Sequence, residues 1–142
     1  LDAHDGEDNE VSLVHADTVA LRRMAVFDVV VNNADRKGGH VLAMPDGHRH
    51  GVDHGVCFHV DEKLRTVLWG WASEPLAEED RPALERLHAS LGPGSGERGA
   101  RLAELLADEE LDALVSRVTR LLDGAVMPLP SGTWPAIPWP AF

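Results

Sequence analysis

The chain has 142 residues, 44% of them hydrophobic, enough for one domain or one lobe of a larger domain with a buried core. It carries 24 acidic and 13 basic side chains, a formal net charge of -11, which argues against nucleic acid as a partner and against stable attachment to an anionic membrane. No apolar run reaches the ~20 residues of a membrane helix, no signal peptide is visible, and the single cysteine, Cys57, excludes an internal disulfide framework. We therefore expect a cytoplasmic protein.

The first sixteen residues predict a flexible acidic arm. Their opening, LDAHDGEDNE, is polar and acidic and shows no periodicity. Because the chain begins at Leu1 rather than at a methionine, we expect a fragment, a processed form or a trimmed version of a longer protein. The predicted organisation is an arm over residues 1–16, a folded domain over 17–127 and a tail over 128–142.

A helix is predicted after the arm, beginning at Ser12 or at Asp17, with Asp17 as the N-cap. Its apolar positions at helical spacing are Ala20, Met24, Phe27 and Val31. This stripe is expected to face the core. The end of the helix would then deliver a polar loop, residues 32–37, to a fixed position.

A β-hairpin is predicted after that loop. Residues 40–44 have the composition of a strand, Pro-Asp-Gly at 45–47 signals a turn, and residues 50–53 form the returning strand. The hairpin would bring Asp35 in the loop close to Asp53 at the end of the second strand. Phosphoryl transfer requires two such carboxylates, one to orient the attacking hydroxyl and one to hold a divalent cation against the phosphate oxygens.

Two short motifs flank the predicted hairpin. Type II phosphatidylinositol 4-kinases carry D-Y-I-I-R-N-T-D-R before it and I-D-N-G-L-A-F after it. The matching positions here are Asp28, Val30, Val31, Asn33, Asp35 and Arg36, then Val52, Asp53, Gly55, Val56 and Phe58. The stretch resembles the catalytic core of the phosphatidylinositol 3-/4-kinase-like branch of the protein-kinase-like superfamily, and more narrowly a group of uncharacterised actinobacterial proteins in that branch. The resemblance covers roughly a fifth of the chain.

The resemblance implies an ATP-dependent kinase acting on a hydroxyl-bearing substrate. Asp35 would be the catalytic base or orienting residue, and Asp53 would bind Mg²⁺ or Mn²⁺ together with ATP. Lys37 lies where protein kinases place a lysine that approaches the transferred phosphate. Asn33 would brace the loop, and Arg36 would pair with a structural carboxylate.

His40 departs from the kinase pattern. Kinases place a metal-binding Asn five residues after the loop aspartate, whereas imidazole suits Mn²⁺ or Zn²⁺ better than Mg²⁺. We therefore treat His40 as a second metal ligand and keep open a pseudokinase-like binding or scaffold protein. A third hypothesis is a His-dependent metal hydrolase, since His48 and His50 are spaced to share one face of a strand.

The fold class that the resemblance implies is α+β and mainly helical, the carboxy-terminal lobe of a kinase-like fold with a small β-hairpin carrying the site. The amino-terminal lobe, or a partner segment, would supply the lysine and the loop that cover ATP. No phosphate loop of the form G-x-x-x-x-G-K-[S/T] occurs in the sequence. We expect the full-length protein to be the kinase and the isolated chain to be inactive.

The rest of the sequence predicts helices and an irregular tail. Helices are expected over 78–91, over 100–107 and from an N-cap at Asp108 to Gly124. Trp69 and Trp71 are predicted to be packing anchors, with the lining of a substrate cleft as the alternative. The tail is predicted to lie on the surface, or else to bind a partner, with four large side chains inserted in grooves: Trp134, Ile137, Trp139 and Phe142.

Overall fold

The computed structural model describes residues 11–94 and 96–142, which form a mainly helical α+β structure, as the sequence predicts. After a helical stretch over residues 11–14, its helices are α1 (Val19–Val31), α2 (Arg81–Leu91), α3 (Glu97–Leu105) and α4 (Asp108–Gly124), with a 3₁₀ turn at Gly38–His40. The strands β1 (Val41–Ala43) and β2 (Arg49–Gly51) form the predicted antiparallel hairpin, in which Leu42 pairs with His50. None of the helices in these two ranges is long and apolar enough to cross a membrane.

The hydrophobic core lies where α4 packs against α1 and α2. Val118 of α4 and Leu21 of α1 are fully buried, and Leu84 of α2 is nearly so. Val14 also belongs to this core, so the packed part of the chain begins before residue 17. Residues 11–14 of the predicted arm are helical, and residues 1–10 lie outside the described residues.

Helix α1 is capped at both ends. The N-cap is Thr18 rather than the predicted Asp17, and the Thr18 hydroxyl accepts a hydrogen bond from the Leu21 amide at 3.3 Å. Asp17 instead accepts one from the Trp71 indole at 3.2 Å. Asn32 ends the helix in the left-handed conformation, with φ 54°, which turns the chain into the polar loop.

The buried face of α1 differs from the predicted stripe. Met24 and Val31 are buried as predicted, but Ala20 is exposed and Phe27 is 44% exposed. The buried face of the helix is rotated relative to the predicted one, because the charged side chain of Asp28 points into the core, where it pairs with Arg36. A count of apolar positions alone misses such a residue.

The later helices begin at other residues than predicted. Helix α2 begins at Arg81 rather than 78, with Pro82 in its first turn as expected. Helix α3 begins at Glu97 and ends at Leu105, earlier than the predicted 100–107. The N-cap of α4 is Ala107, whose amide donates to the Glu110 carboxylate at 2.8 Å, so Asp108 lies in the first turn and not at the cap.

The tail packs on the loop and hairpin side of the molecule through its backbone. The carbonyl of Ala136 accepts hydrogen bonds from the Thr66 amide at 3.0 Å and from the Trp69 indole at 2.8 Å. Further along, the amide of Gly38 donates to Ala141 at 2.8 Å. The tail is therefore ordered against the chain segments that flank the candidate site.

The prediction for the side chains of the tail is only partly correct. Lys63 places its ammonium 3.8 Å from the centre of the Trp134 ring, and the Phe142 ring packs where a Cβ on Gly38 would lie. Trp139, however, is 91% exposed and Ile137 is 52% exposed. The prediction that these two side chains insert in grooves was therefore wrong. Backbone hydrogen bonds at Ala136 and Ala141 hold the tail instead.

Candidate functional site

A buried ion pair lies beneath the polar loop. The side chains of Asp28 and Arg36 are both fully buried, and two of the contacts between them measure 2.9 Å, Nη2 to Oδ1 and Nε to Oδ2. Arg36 Nη1 also donates to the carbonyls of His40 and Val52, each at 3.2 Å, and Nη2 lies 2.8 Å from His54 Nε2. Arg36 thus pairs with a structural carboxylate, as predicted, and ties the loop to both ends of the hairpin.

Asn33 connects the same ion pair to the loop. Its Nδ2 donates to Asp28 Oδ1 at 3.0 Å, and its Oδ1 accepts the backbone amide of Asp35 at 3.0 Å. Because Asn33 is fully buried, it holds the loop from beneath and does not present its own amide to solvent. This is the geometry of a residue that braces a loop.

Asp35 lies at the surface of the loop, with its side chain 27% exposed. Its Oδ1 is 4.0 Å from Nη2 of Arg65, and the Nε of that arginine donates to the Ala34 carbonyl at 2.7 Å. Two residues further along, Lys37 precedes the 3₁₀ turn as its N-cap residue and is half-buried. The loop therefore presents the Asp35 carboxylate with the Arg65 guanidinium beside it.

His40 joins the loop to the end of the hairpin. Its Nδ1 is 2.9 Å from the carbonyl oxygen of Asp35, and its Nε2 is 3.5 Å from Oδ2 of Asp53. The side chain of Asp53 is 63% exposed, and its backbone is left-handed with φ 57°. The structure thus brings three predicted site residues together: the Asp35 backbone, the His40 ring and the Asp53 carboxylate.

The His40 ring has three polar contacts, two of them at Nδ1. Nδ1 lies 2.9 Å from the Asp35 carbonyl oxygen, which can only accept, and 3.4 Å from the Lys37 amide, which can only donate. The shorter contact favours the tautomer with the proton on Nδ1. Nε2 faces Oδ2 of Asp53 at 3.5 Å, where a protonated ring forms an ion pair with the carboxylate and a neutral ring offers its lone pair to a cation. Metal-binding histidines characteristically donate their other ring nitrogen to a carbonyl or carboxylate in this way.

His48 and His50 do not build a comparable site. The rings of His48 and His50 are in contact, with centroids 4.3 Å apart, and both residues are exposed. Within residues 11–94 and 96–142, no group of three or more His, Cys, Asp or Glu side chains could hold a metal ion. Of the two tryptophans in question, Trp71 is buried in the core, as predicted for a packing anchor, while Trp69 is partly exposed.

Cys57 lies close to the site but is not a nucleophile at neutral pH. Burial raises the pKa of its thiol to about 11, and the nearby Asp28 carboxylate acts in the same direction, against opposing effects of Arg36 and Arg117. A thiol with such a pKa is protonated and unreactive.

Three contributors to the site are absent from the sequence-based predictions. Asn32 donates from Nδ2 to the carbonyls of His59 and Asp61 and accepts the Lys63 amide at 3.0 Å, so it orders the segment after the hairpin. The other two are Arg65, beside Asp35, and His54, beside Arg36. Of these three residues, only Asn32 had a signal in the sequence, because an Asn at the end of a helix tolerates the left-handed conformation.

Comparison with known proteins gives two similarities. The chain is 54% identical over 142 residues to Protein Rv2133c of Mycobacterium tuberculosis (strain ATCC 25618 / H37Rv), which covers all of this chain and half of that protein. It is 29% identical over 98 residues to phosphatidylinositol 4-kinase gamma 4 of Oryza sativa subsp. japonica, which covers 66% of this chain and 15% of that kinase. The chain thus spans half, or less, of the curated relatives that it matches. No family model and no solved structure matches the chain.

Proposed function

We propose that this chain carries the catalytic-loop side of an ATP-dependent phosphotransferase that acts on a hydroxyl acceptor. The observation that carries the proposal is the His40 ring, which contacts the Asp35 backbone at 2.9 Å and the Asp53 carboxylate at 3.5 Å. The two kinase-like motifs of the sequence thereby meet in space. The partial similarity to a phosphatidylinositol 4-kinase supports the same reaction class.

Each loop residue has a role that suits its position. The partly exposed Asp35 carboxylate would accept a hydrogen bond from the acceptor hydroxyl and orient it for attack. Lys37, on the same loop, would neutralise charge on the transferred phosphate. Asn33, buried under both, would keep the loop in shape.

Asp53 and His40 would hold Mg²⁺ or Mn²⁺ together with ATP. The residues fit such an ion, since a carboxylate oxygen and an imidazole nitrogen face each other at 3.5 Å. In phosphotransferases these ions use one or two protein groups and take their remaining ligands from water and phosphate oxygens. When bound, the ion would neutralise the phosphate charge, and the imidazole would favour Mn²⁺ over Mg²⁺.

The experiment that tests the site is calorimetric titration of the 142-residue chain with Mn²⁺ and Mg²⁺. We expect Asp53→Asn to abolish binding without unfolding the domain, because the Asp53 carboxylate is largely exposed and contributes little to packing. Asp46→Asn is the matched control, since Asp46 lies in the turn of the same hairpin and bonds only to the His48 amide at 2.9 Å among the described contacts. Equal Mn²⁺ affinity in the wild-type and Asp53→Asn proteins would exclude Asp53 from the site.

A second variant tests His40. Replacement by Asn restores the residue type that kinases use, so His40→Asn should shift preference from Mn²⁺ toward Mg²⁺. The ratio of the two dissociation constants is the measurement. An unchanged ratio would mean that His40 only supports the hairpin.

The proposal also includes a second lobe or partner segment, as in other kinases, where nucleotide lies between two lobes. The isolated chain should then bind ATP weakly, with a dissociation constant in the high micromolar to millimolar range, about -4 to -5 kcal/mol, and transfer no phosphate. Tight ATP binding by the isolated chain, lost in Asp35→Ala and Asp53→Ala, would overturn the assignment of a single lobe.

A pseudokinase-like binding protein is the second candidate, and His40 at the position of the kinase Asn is the observation that favours it. A longer protein that binds ATP and Mn²⁺ but transfers no phosphate to water or to any hydroxyl acceptor would support this interpretation. Turnover that depends on Asp35 would exclude it.

A further inference from the structure

An open cavity lies between helix α1 and the second strand of the hairpin, and its volume is about 440 Å³. Helix α1 lines it with Ala20, Arg23, Met24 and Phe27, and the hairpin side lines it with His48, Arg49, Gly51 and His54. Arg36 lies between the two walls. None of the proposed catalytic or metal-binding residues is among the described residues that line it.

The charge of this lining is opposite to the charge of the chain. The sequence has 24 acidic side chains against 13 lysines and arginines. The described residues around the cavity nevertheless include three arginines and two histidines, and no aspartate or glutamate. Asp28 neutralises one of the arginines, the fully buried Arg36. The remaining cations make the cavity a locally positive region of an acidic protein, which favours an anionic ligand.

Arg49 is the arginine of the cavity that has no carboxylate partner in the described ranges. Its Nη1 donates to the carbonyls of Gly47 and His48, at 3.0 Å and 3.1 Å. Its Nε is enclosed by the protein, whereas Nη2 is neither enclosed nor hydrogen-bonded within the part of the chain that the structure describes. The two carbonyls therefore hold the guanidinium in place and leave Nη2 as an accessible donor.

Two further segments add donors to the same cavity. Arg23 donates from Nε to Asp80 at 3.0 Å, which offsets part of its charge, but its side chain is 59% exposed and no described contact uses its Nη atoms. Nε2 of His54 lies 2.8 Å from Nη2 of Arg36. A guanidinium only donates, so Nε2 accepts and the neutral ring carries its proton on Nδ1. That N–H has no partner among the described contacts and can donate to a ligand.

Apolar side chains of α1 form the other wall. The spacing of Ala20, Met24 and Phe27 predicts a buried stripe, yet Ala20 is exposed and Phe27 is 44% exposed. The Phe27 ring meets the His54 ring edge to face, with centroids 5.3 Å apart. An apolar or aromatic group placed against Phe27 would remove this surface from water.

The donors favour a phosphate over a carboxylate. A phosphomonoester carries close to two negative charges at neutral pH and presents three acceptor oxygens, enough for donors from three separate segments. An arginine fork matches two of those oxygens. We propose that this cavity, the Arg49 pocket, binds a small phosphomonoester whose organic part is apolar or aromatic. The phosphate accepts hydrogen bonds from Arg49, Arg23 and His54, and the organic part lies against Phe27. The site is independent of the phosphotransferase function proposed above.

The test is titration of the 142-residue chain with phenyl phosphate, without divalent cations, so that the proposed metal site takes no part. Phenyl phosphate should bind in a saturable manner with a dissociation constant on the order of 1 mM or below, a value typical of so small a ligand. Phenol, which lacks the charge, and inorganic phosphate, which lacks the ring, should each bind at least about five-fold more weakly. If either of them matches phenyl phosphate, or if phenyl phosphate does not saturate by about 10 mM, the proposal is overturned.

Two pairs of variants locate the site. Arg49→Met should reduce the affinity for phenyl phosphate at least about ten-fold, and Arg49→Lys should reduce it less, because the charge remains and the fork is lost. Arg98→Met, at an exposed arginine on α3, is the matched control. Ala20→Trp should reduce the affinity as much as Arg49→Met by filling the cavity from α1, and Ala103→Trp, at an exposed alanine on α3, is its control.

Ala20→Trp decides the outcome if Arg49→Met does not fold. Unchanged affinity for phenyl phosphate in Ala20→Trp would contradict the proposal whatever Arg49→Met does. An equal loss in Arg98→Met or in Ala103→Trp would show that binding is not local to the Arg49 pocket, and that result would overturn it too. Full affinity in Asp53→Asn would support a site separate from the proposed metal ligands, and a ten-fold loss there would exclude one.

Discussion

The protein buries two arginines in opposite ways. Arg36 is fully buried against the Asp28 carboxylate and donates to the two carbonyls that close the hairpin. Arg117 is nearly as buried, but it bonds only to carbonyls and leaves Nη2 without a partner in the described ranges. The first arrangement joins separate segments through a neutralised charge, whereas the second leaves a buried cation held only by two carbonyls.

The difference between the two arginines is tested first by removing Arg36. Arg36→Met leaves Asp28 as an uncompensated buried charge, so we expect a loss of about 3–5 kcal/mol in the free energy of unfolding. Urea denaturation measures it. The double variant Asp28→Leu/Arg36→Met should recover much of the loss, because both charges are then gone; strict additivity of the two single variants would contradict the buried pair.

The same replacement at Arg117 should cost less. Arg117→Met removes an uncompensated charge together with its bonds to Val30 and His59, and the loss should be about 1–3 kcal/mol, set by the two carbonyls left unpaired. Urea denaturation of both methionine variants gives the comparison directly. A larger loss at Arg117 than at Arg36 would reverse our assignment of the two roles.

Gly51 tests how rigidly Arg36 is held. A Cβ at Gly51 would lie 3.1 Å from both Nη atoms of Arg36, so Gly51→Ala must push against a fixed guanidinium. We expect a loss of about 1–2 kcal/mol in the free energy of unfolding. Gly70→Ala is the control, because an added Cβ there meets nothing within 4 Å. Equal stabilities of the two variants would show that Arg36 can move.

The pKa of the Cys57 thiol depends on both arginines, and its change on removal of one of them is the smallest of the expected effects. Burial raises the pKa of its thiol to about 11 from the ordinary 9.0, and Arg36 and Arg117 both act to lower it. Arg117→Met should therefore move the pKa of Cys57 higher still. The rate of alkylation by iodoacetamide as a function of pH measures this shift. An unchanged profile in Arg117→Met would place Arg117 too far from Cys57 to act on it.

The raised pKa of Cys57 also predicts how stability depends on pH. The folded state disfavours the thiolate, so the contribution of Cys57 to the free energy of unfolding is complete below pH 9 and is lost as the pH rises from 9 through about 11. Cys57→Ala should remove that part of the alkaline decline. Identical pH profiles for the two proteins would contradict the shift.

The sequence determined the class of structure and the order of its parts. The hairpin was predictable because Pro-Asp-Gly between two short strands is a local signal, and β1 and β2 lie where that signal places them. The helical second half was predictable because an apolar period near 3.6 is also local. The motif positions Asp35 and Asp53 could be named, and so could the pairing of Arg36 with a structural carboxylate.

The tertiary structure decided which polar groups meet. Three features depend on how separate segments pack. They are the Asp28 side chain that points into the core, the His40 ring between Asp35 and Asp53, and Nη2 of Arg117, which has no partner in the described ranges. Trp139 is exposed for the same reason, because backbone bonds to remote segments hold the tail. Periodicity and turn signals report local conformational preference, whereas the partner of a buried polar group is fixed only when distant segments pack.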